Sequence, residues 1–164
     1  MNPKLTIFWG VGYNVLWYIT ISNGADNPLI STFAVLAWTI LCGTLQDKKV
    51  WRVVLCALCL SLIGDSILGY LGVLKLYDGT PFLLAPIWLT GLWAAFATII
   101  PLCFTWLNGR LWLASILAAV SGPMSYMAGG KMGAMTVSPD WFSISMIAIE
   151  WAVAMPLLVW ISKK

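Results

Sequence analysis

Six apolar runs, each near the length of a bilayer crossing and separated by short polar breaks, govern what this chain can fold into. They cover roughly Leu5–Ser22, Leu29–Leu45, Val50–Leu74, Pro86–Leu107, Leu111–Ala128 and Trp141–Ile161. A membrane-crossing helix needs about 20 mostly apolar residues. The breaks carry turn chemistry: SNGADNP, QDKK, YDGTP, NGR and the longer GGKMGAMTVSPD. Nothing is left over for a soluble domain, and only 9% of the residues are charged, against about 25% in a water-soluble domain. The expected fold is therefore all-α: a polytopic integral membrane protein, one domain over residues 1–164, built as a bundle of six transmembrane helices.

Lys and Arg counted in alternate breaks set the orientation. One side receives Lys4, Lys48, Lys49, Arg52, Arg110, Lys163 and Lys164; the other receives Lys75 and Lys131. Seven against two places both termini in the cytoplasm. The first run has a Lys before it, as a signal peptide would, but no small-x-small site follows, so it reads as a retained span. Trp9, Trp51, Trp106, Trp112 and Trp160 fall near the cytoplasmic ends, and Trp88 and Trp141 near the outer ends, as in an interfacial aromatic belt. Trp17, Trp38, Trp93 and Trp151 lie deeper, where they either pack or line a pocket.

The chain has no histidine, which removes Ser-His-Asp and Cys-His catalysis and the usual zinc sets. No catalytic residue, metal site or cofactor is expected, and no basic cluster with interleaved aromatics points to nucleic acid. Cys56 and Cys59 form a C-x-x-C, but inside a continuous apolar helix they read as packing, and no disulfide is expected. Gly129 and Gly133 form a GxxxG that suits either a helix contact or a tight loop return. Arg110 and Lys48-Lys49 read as topology anchors, with a lipid-headgroup role as the alternative. Sliding the chain by 61 residues pairs the second and third runs with the fourth and fifth, matching Trp51 with Trp112 and Ala57 with Ala118.

One acid sits inside the third run, in SLIGDSILGYLG. Between Val53 and Leu74 that run has twelve Leu, Ile or Val residues, each contributing roughly −0.3 to −0.6 kcal/mol to insertion, against about +3 for one central acid. The helix still inserts, but the acid avoids lipid. Ser61, Asp65, Gly69 and Gly72 recur at helical spacing, a small and polar stripe that turns Asp65 into the bundle. Counted from Trp51 at 1.5 Å per residue, Asp65 lies roughly 21 Å deep, and Glu150 lies roughly 13 Å in from Trp141 on the other side. The two acids reach comparable levels. Gly122-Pro123 is expected to bend or break the fifth helix, and the fourth adds a stripe of Thr90, Ala94, Thr98 and Pro101. These features predict a polar cavity in the outer half, built from Asn14, Asp65, Tyr126 and Glu150 with Lys131 near its mouth. The alternative is that these groups only bond helices together.

The second half, APIWLTGLWAAFATIIPLCFTWLNGRLWLASILAAVSGPMSYMAGGKMGAM, resembles a family of small bacterial inner-membrane proteins catalogued as domain of unknown function 2878. The resemblance rests on Pro86 with Trp88, Trp93 with Phe96 and Thr98, the Trp106 to Arg110 turn, and Gly122-Pro123 with Tyr126, Gly129 and Gly133. Asp65 fits it as well. It implies a six-helix protein of the bacterial inner membrane and turns the expectation toward lipid-like ligands.

The reading that follows is a protein binding or transporting a small or lipid-like molecule. Two alternatives stay open: a membrane-embedded lipid-modifying enzyme with Asp65 or Glu150 as acid or base, and a non-catalytic assembly partner of another membrane protein. Expected partners are the lipid bilayer, a small-molecule or lipid ligand, and another membrane protein or a second copy.

Overall fold

The computed structural model describes residues 3–164, with side chains from Thr6 onward; the Lys4 charge counted above lies outside the described side chains. The described chain folds into six α-helices: α1 (Pro3–Asn23), α2 (Pro28–Thr44), α3 (Val50–Tyr70), α4 (Ile87–Cys103), α5 (Leu111–Lys131) and α6 (Trp141–Ser162). A 3₁₀ turn, Thr105–Leu107, follows α4. Two short strands, β1 (Leu74–Lys75) and β2 (Thr136–Val137), pair antiparallel with Leu74 opposite Val137 and tie two connections together at one end of the bundle. The end with the paired strands carries Asp26, Asp78 and Asp140 beside Lys75 and Lys131, whereas the opposite, basic end carries, among the described residues, six Lys or Arg and Asp47.

Three helices, α3, α5 and α6, are long and apolar enough to cross a membrane, yet only 39%, 28% and 28% of their most apolar stretches is buried inside the protein. Internal packing therefore does not account for their composition. The exposed remainder includes Ile63, Ile67, Ile116, Val120, Ile149 and Val153, a surface that suggests a membrane protein. α2 and α4 are apolar but shorter, at 17 residues each.

The central helix is α4, which packs against α1, α2, α3 and α6. Twelve of its 17 residues are buried, and its small side chains permit this crowding. At Gly91 a Cβ would collide with Val35 of α2, so glycine is what lets those two helices close. Further out, α6 contains Pro156, whose missing N–H frees the Ala152 carbonyl one turn back. Ser115 of α5 donates its hydroxyl to that carbonyl at 2.7 Å, which restores the lost bond from a neighbouring helix.

Three boundaries differ from the sequence reading by more than two residues. α3 stops at Tyr70 rather than Leu74, because Gly72 turns into the left-handed region at φ 72° and hands the chain to β1. α4 stops at Cys103, two residues past Pro101, and Phe104 leaves helical geometry before the 3₁₀ turn. α5 runs on to Lys131 and passes through Gly122-Pro123 as one helix. The expected break is corrected: Gly122 and Pro123 are both buried, and close packing of α5 on α6 holds the turn that one missing donor would weaken. Trp88, expected in an interfacial belt, is buried beside Gly24. The four cysteines are free thiols.

Asp140 caps α6, accepting from the backbone N–H of Ser143 at 2.9 Å and from its hydroxyl at 2.8 Å. Those donors hold its carboxyl below the usual carboxylate range. The folded value lies below the unfolded one, so the cap acts fully above the ordinary carboxylate range and is lost as pH falls on through the lowered folded value. Amide-exchange protection at Ser143, corrected for intrinsic rate, should drop in acid, and Asp140→Ala should abolish that pH dependence. Protection that stays flat with pH in the native protein would contradict the assignment.

Candidate functional site

Asp65 is completely buried, and both of its oxygens are committed. Tyr126 of α5 donates its hydroxyl to Oδ1 at 2.5 Å, and Ser61, one turn earlier on α3, donates to Oδ2 at 2.6 Å. Thr90 Oγ1 of α4 stands 3.3 Å from Ser61 Oγ; since Ser61 has one proton and gives it to the carboxylate, Thr90 meets its lone pair. Trp93 Nε1 donates to the Tyr126 hydroxyl at 3.2 Å. Three helices are thereby bonded through one carboxylate, in a chain Trp93–Tyr126–Asp65–Ser61–Thr90.

Glu150 reaches the same level from α6. A Cβ at Gly64, the residue before Asp65, would collide with its carboxylate, so the glycine is the notch in α3 that admits it. Both Glu150 oxygens are buried without a hydrogen-bond partner, as is the indole N–H of Trp151. The two acids thus occupy neighbouring positions with opposite chemistry: Asp65 is saturated with donors and Glu150 has none.

Beside this cluster, aromatic rings form a wall. Trp93 and Trp151 stack with centroids 4.4 Å apart at 25°, and Phe96 and Tyr126 meet Trp151 edge-on at 5.7 and 6.4 Å. The wall faces a small cavity of about 40 Å³ lined by Tyr13, Trp17, Trp93, Tyr126 and Trp151 among others. A far larger cleft of about 540 Å³ adjoins it, bounded by α1 and α5 with the end of α4 and the 3₁₀ turn. Tyr13, Trp17, Phe96, Ser125 and Trp151 line both, so the two spaces adjoin along one shared wall. The cleft exists because α1 and α5 are not among the closely packed helix pairs. Among the described residues, no charged side chain lines either space.

The residues expected to form one polar cavity are therefore separated. Asp65, Tyr126 and Glu150 come together. Asn14 does not join them: it donates to the Gly10 carbonyl of its own helix at 2.8 Å and lines the large cleft. Lys131 is exposed in the last turn of α5 and lines neither space. The larger volume lies toward the basic end, away from the half in which a cavity was expected. Of the deep tryptophans, Trp17, Trp93 and Trp151 line cavities, while Trp38 packs under Gly12 and donates to Thr98 Oγ1 at 3.2 Å. Gly64 and Tyr13 escaped sequence reasoning, and Phe96 entered it only as part of the family resemblance. A glycine directly beside an acid in an apolar helix was the available signal for the first.

An all-α chain of apolar, membrane-type helices with a buried carboxylate network defines the class. More particularly, residues 6–157 match the family described as "Protein of unknown function (DUF2878)", and the chain belongs to that family. Neither a curated protein nor a solved structure matches it.

Proposed function

We propose that the protein crosses the bacterial inner membrane six times, with both termini cytoplasmic, and binds or moves an amphipathic, lipid-like molecule through the α1/α5 cleft. The six-span reading draws on the helix lengths, from 17 to 22 residues, which fall within the roughly 17–25 that can span. Orientation draws on the concentration of Lys and Arg at one end of the bundle. The observation that carries the binding reading is the cleft itself. Its volume of about 540 Å³ falls in the range of roughly 300–1,000 Å³ typical of small-molecule sites, which are mostly apolar with a few polar groups. Here those groups are Asn14, Ser121 and Ser125, with the Tyr126–Asp65 pair behind the aromatic wall.

An enzymatic role for Asp65 or Glu150 has less support. Both Asp65 oxygens are taken by intramolecular donors, and neither acid lines the small cavity or the large cleft. Native mass spectrometry of protein purified in mild detergent tests the binding reading. The wild type should carry a discrete bound mass that Ser125→Trp, which fills the junction of the two spaces, removes. An empty wild-type protein would sink it.

A further inference from the structure

We propose that the cleft holds one acyl chain of an anionic phospholipid from the leaflet at the basic end, with the headgroup beside Arg110. The inference rests on the binding reading above and names its ligand class.

Three observations converge on it. First, the cleft has the depth of one leaflet. Along α5 it runs from Ala114 to Ser125, eleven residues or about 16 Å at 1.5 Å each, close to half of a hydrocarbon core about 30 Å thick. It begins at the 3₁₀ turn, where Trp106 and Leu107 line it, and ends at mid-bundle where Trp17 and Ser125 meet the small cavity. Second, it lies along the exterior: Asn14, Trp106, Leu117, Ser121 and Met124 line it and are exposed. A chain can therefore slide in sideways from the lipid phase. Third, charge at the two ends is unequal. Among the described residues, the basic end carries Lys48, Lys49, Arg52, Arg110, Lys163 and Lys164 against Asp47, whereas the end with the paired strands carries two basic and three acidic residues. Of the basic six, Arg110 stands nearest the mouth in the chain: it is exposed and its N–H bonds the carbonyl of Leu107, a lining residue. Since the described lining is uncharged, the chain is held by apolar burial and discrimination falls on the headgroup at the rim.

The test is a native mass spectrometry titration of delipidated protein with dioleoyl-phosphatidylglycerol and with dioleoyl-phosphatidylcholine, which share chains and differ in headgroup charge. The wild type should retain the anionic lipid about fivefold or more over the zwitterionic one, as one basic contact near a membrane surface supplies roughly 1 kcal/mol. Arg110→Gln should bring the two lipids to parity. Ser125→Trp, or Leu117→Trp on the exposed rim should the first fail to fold, should lose both. Equal retention of both lipids by the wild type, displaced by the filling variants, would overturn the headgroup claim and leave the cleft reading standing. Retention of neither would overturn both. A dimer peak without lipid would assign the cleft to a second copy and overturn the inference as well.

Discussion

Asp65→Ala is expected to lower unfolding stability by about 3 kcal/mol, while Glu150→Gln, at the same level of the bundle, stays within about 0.5 kcal/mol of the native protein. The contrast follows from donors rather than from acidity. Asp65 accepts the hydroxyls of Tyr126 and Ser61, and hydrogen bonds to a charged group are worth about 1.5–3 kcal/mol each. Ser61 would keep Thr90 as a neighbour, but the buried Tyr126 hydroxyl would lose its acceptor. Glu150 accepts nothing from the protein. An isosteric amide there removes no protein hydrogen bond and keeps the shape that fits the notch at Gly64. Unfolding in mixed micelles, followed by circular dichroism, measures both variants. A neutral Asp65→Ala would mean that the three-helix chain of hydroxyls around it contributes nothing to the fold, and a severe Glu150→Gln would mean that Glu150 has a partner.

The same distinction shows what could be read in advance. That Asp65 faces inward followed from Ser61 and Gly69 on its own helix, and all three are buried. Thr90 and Thr98, read as one stripe of the fourth helix, are buried too. Spacing along one helix is legible because helical geometry relates residues three and four apart directly to a common face. The 61-residue offset that aligns Trp51 with Trp112 also aligns Asp65 with Tyr126, and those two residues meet. What spacing does not carry is the gap between helices. The α1/α5 cleft arises because two helices stay apart, and no residue on either one announces that. Asn14 was misplaced for a related reason: its amide satisfies itself on the Gly10 carbonyl one turn back, an option open to any helical Asn at the surface. Pro123 was overread because one lost donor is a local deficit, whereas α5 is held by its whole contact with α6.

That contact leads to the second large effect. Gly122→Ala is expected to destabilise the protein by about 3 kcal/mol, at the upper end of what overpacking usually does, and to empty the cleft. A Cβ at Gly122 would run into Trp151 at the root of its side chain, with Cβ itself 2.8 Å away and the nearest ring atoms closer still. A flexible tip could swing aside, but the first atoms of an indole move only with its backbone or its rotamer. Either movement unstacks Trp151 from Trp93 and disturbs Phe96, and all three side chains line the small cavity. Stability and ligand retention should therefore fall together. Pairing the change with Trp151→Leu separates steric conflict from any loss of helix propensity, since alanine is the better helix former. The double variant should be less destabilised than the sum of its parts by more than about 1 kcal/mol, the coupling expected of residues in direct contact. Strict additivity would show that Trp151 already has room to move, and that α5 and α6 meet more loosely at Gly122 than the glycine implies.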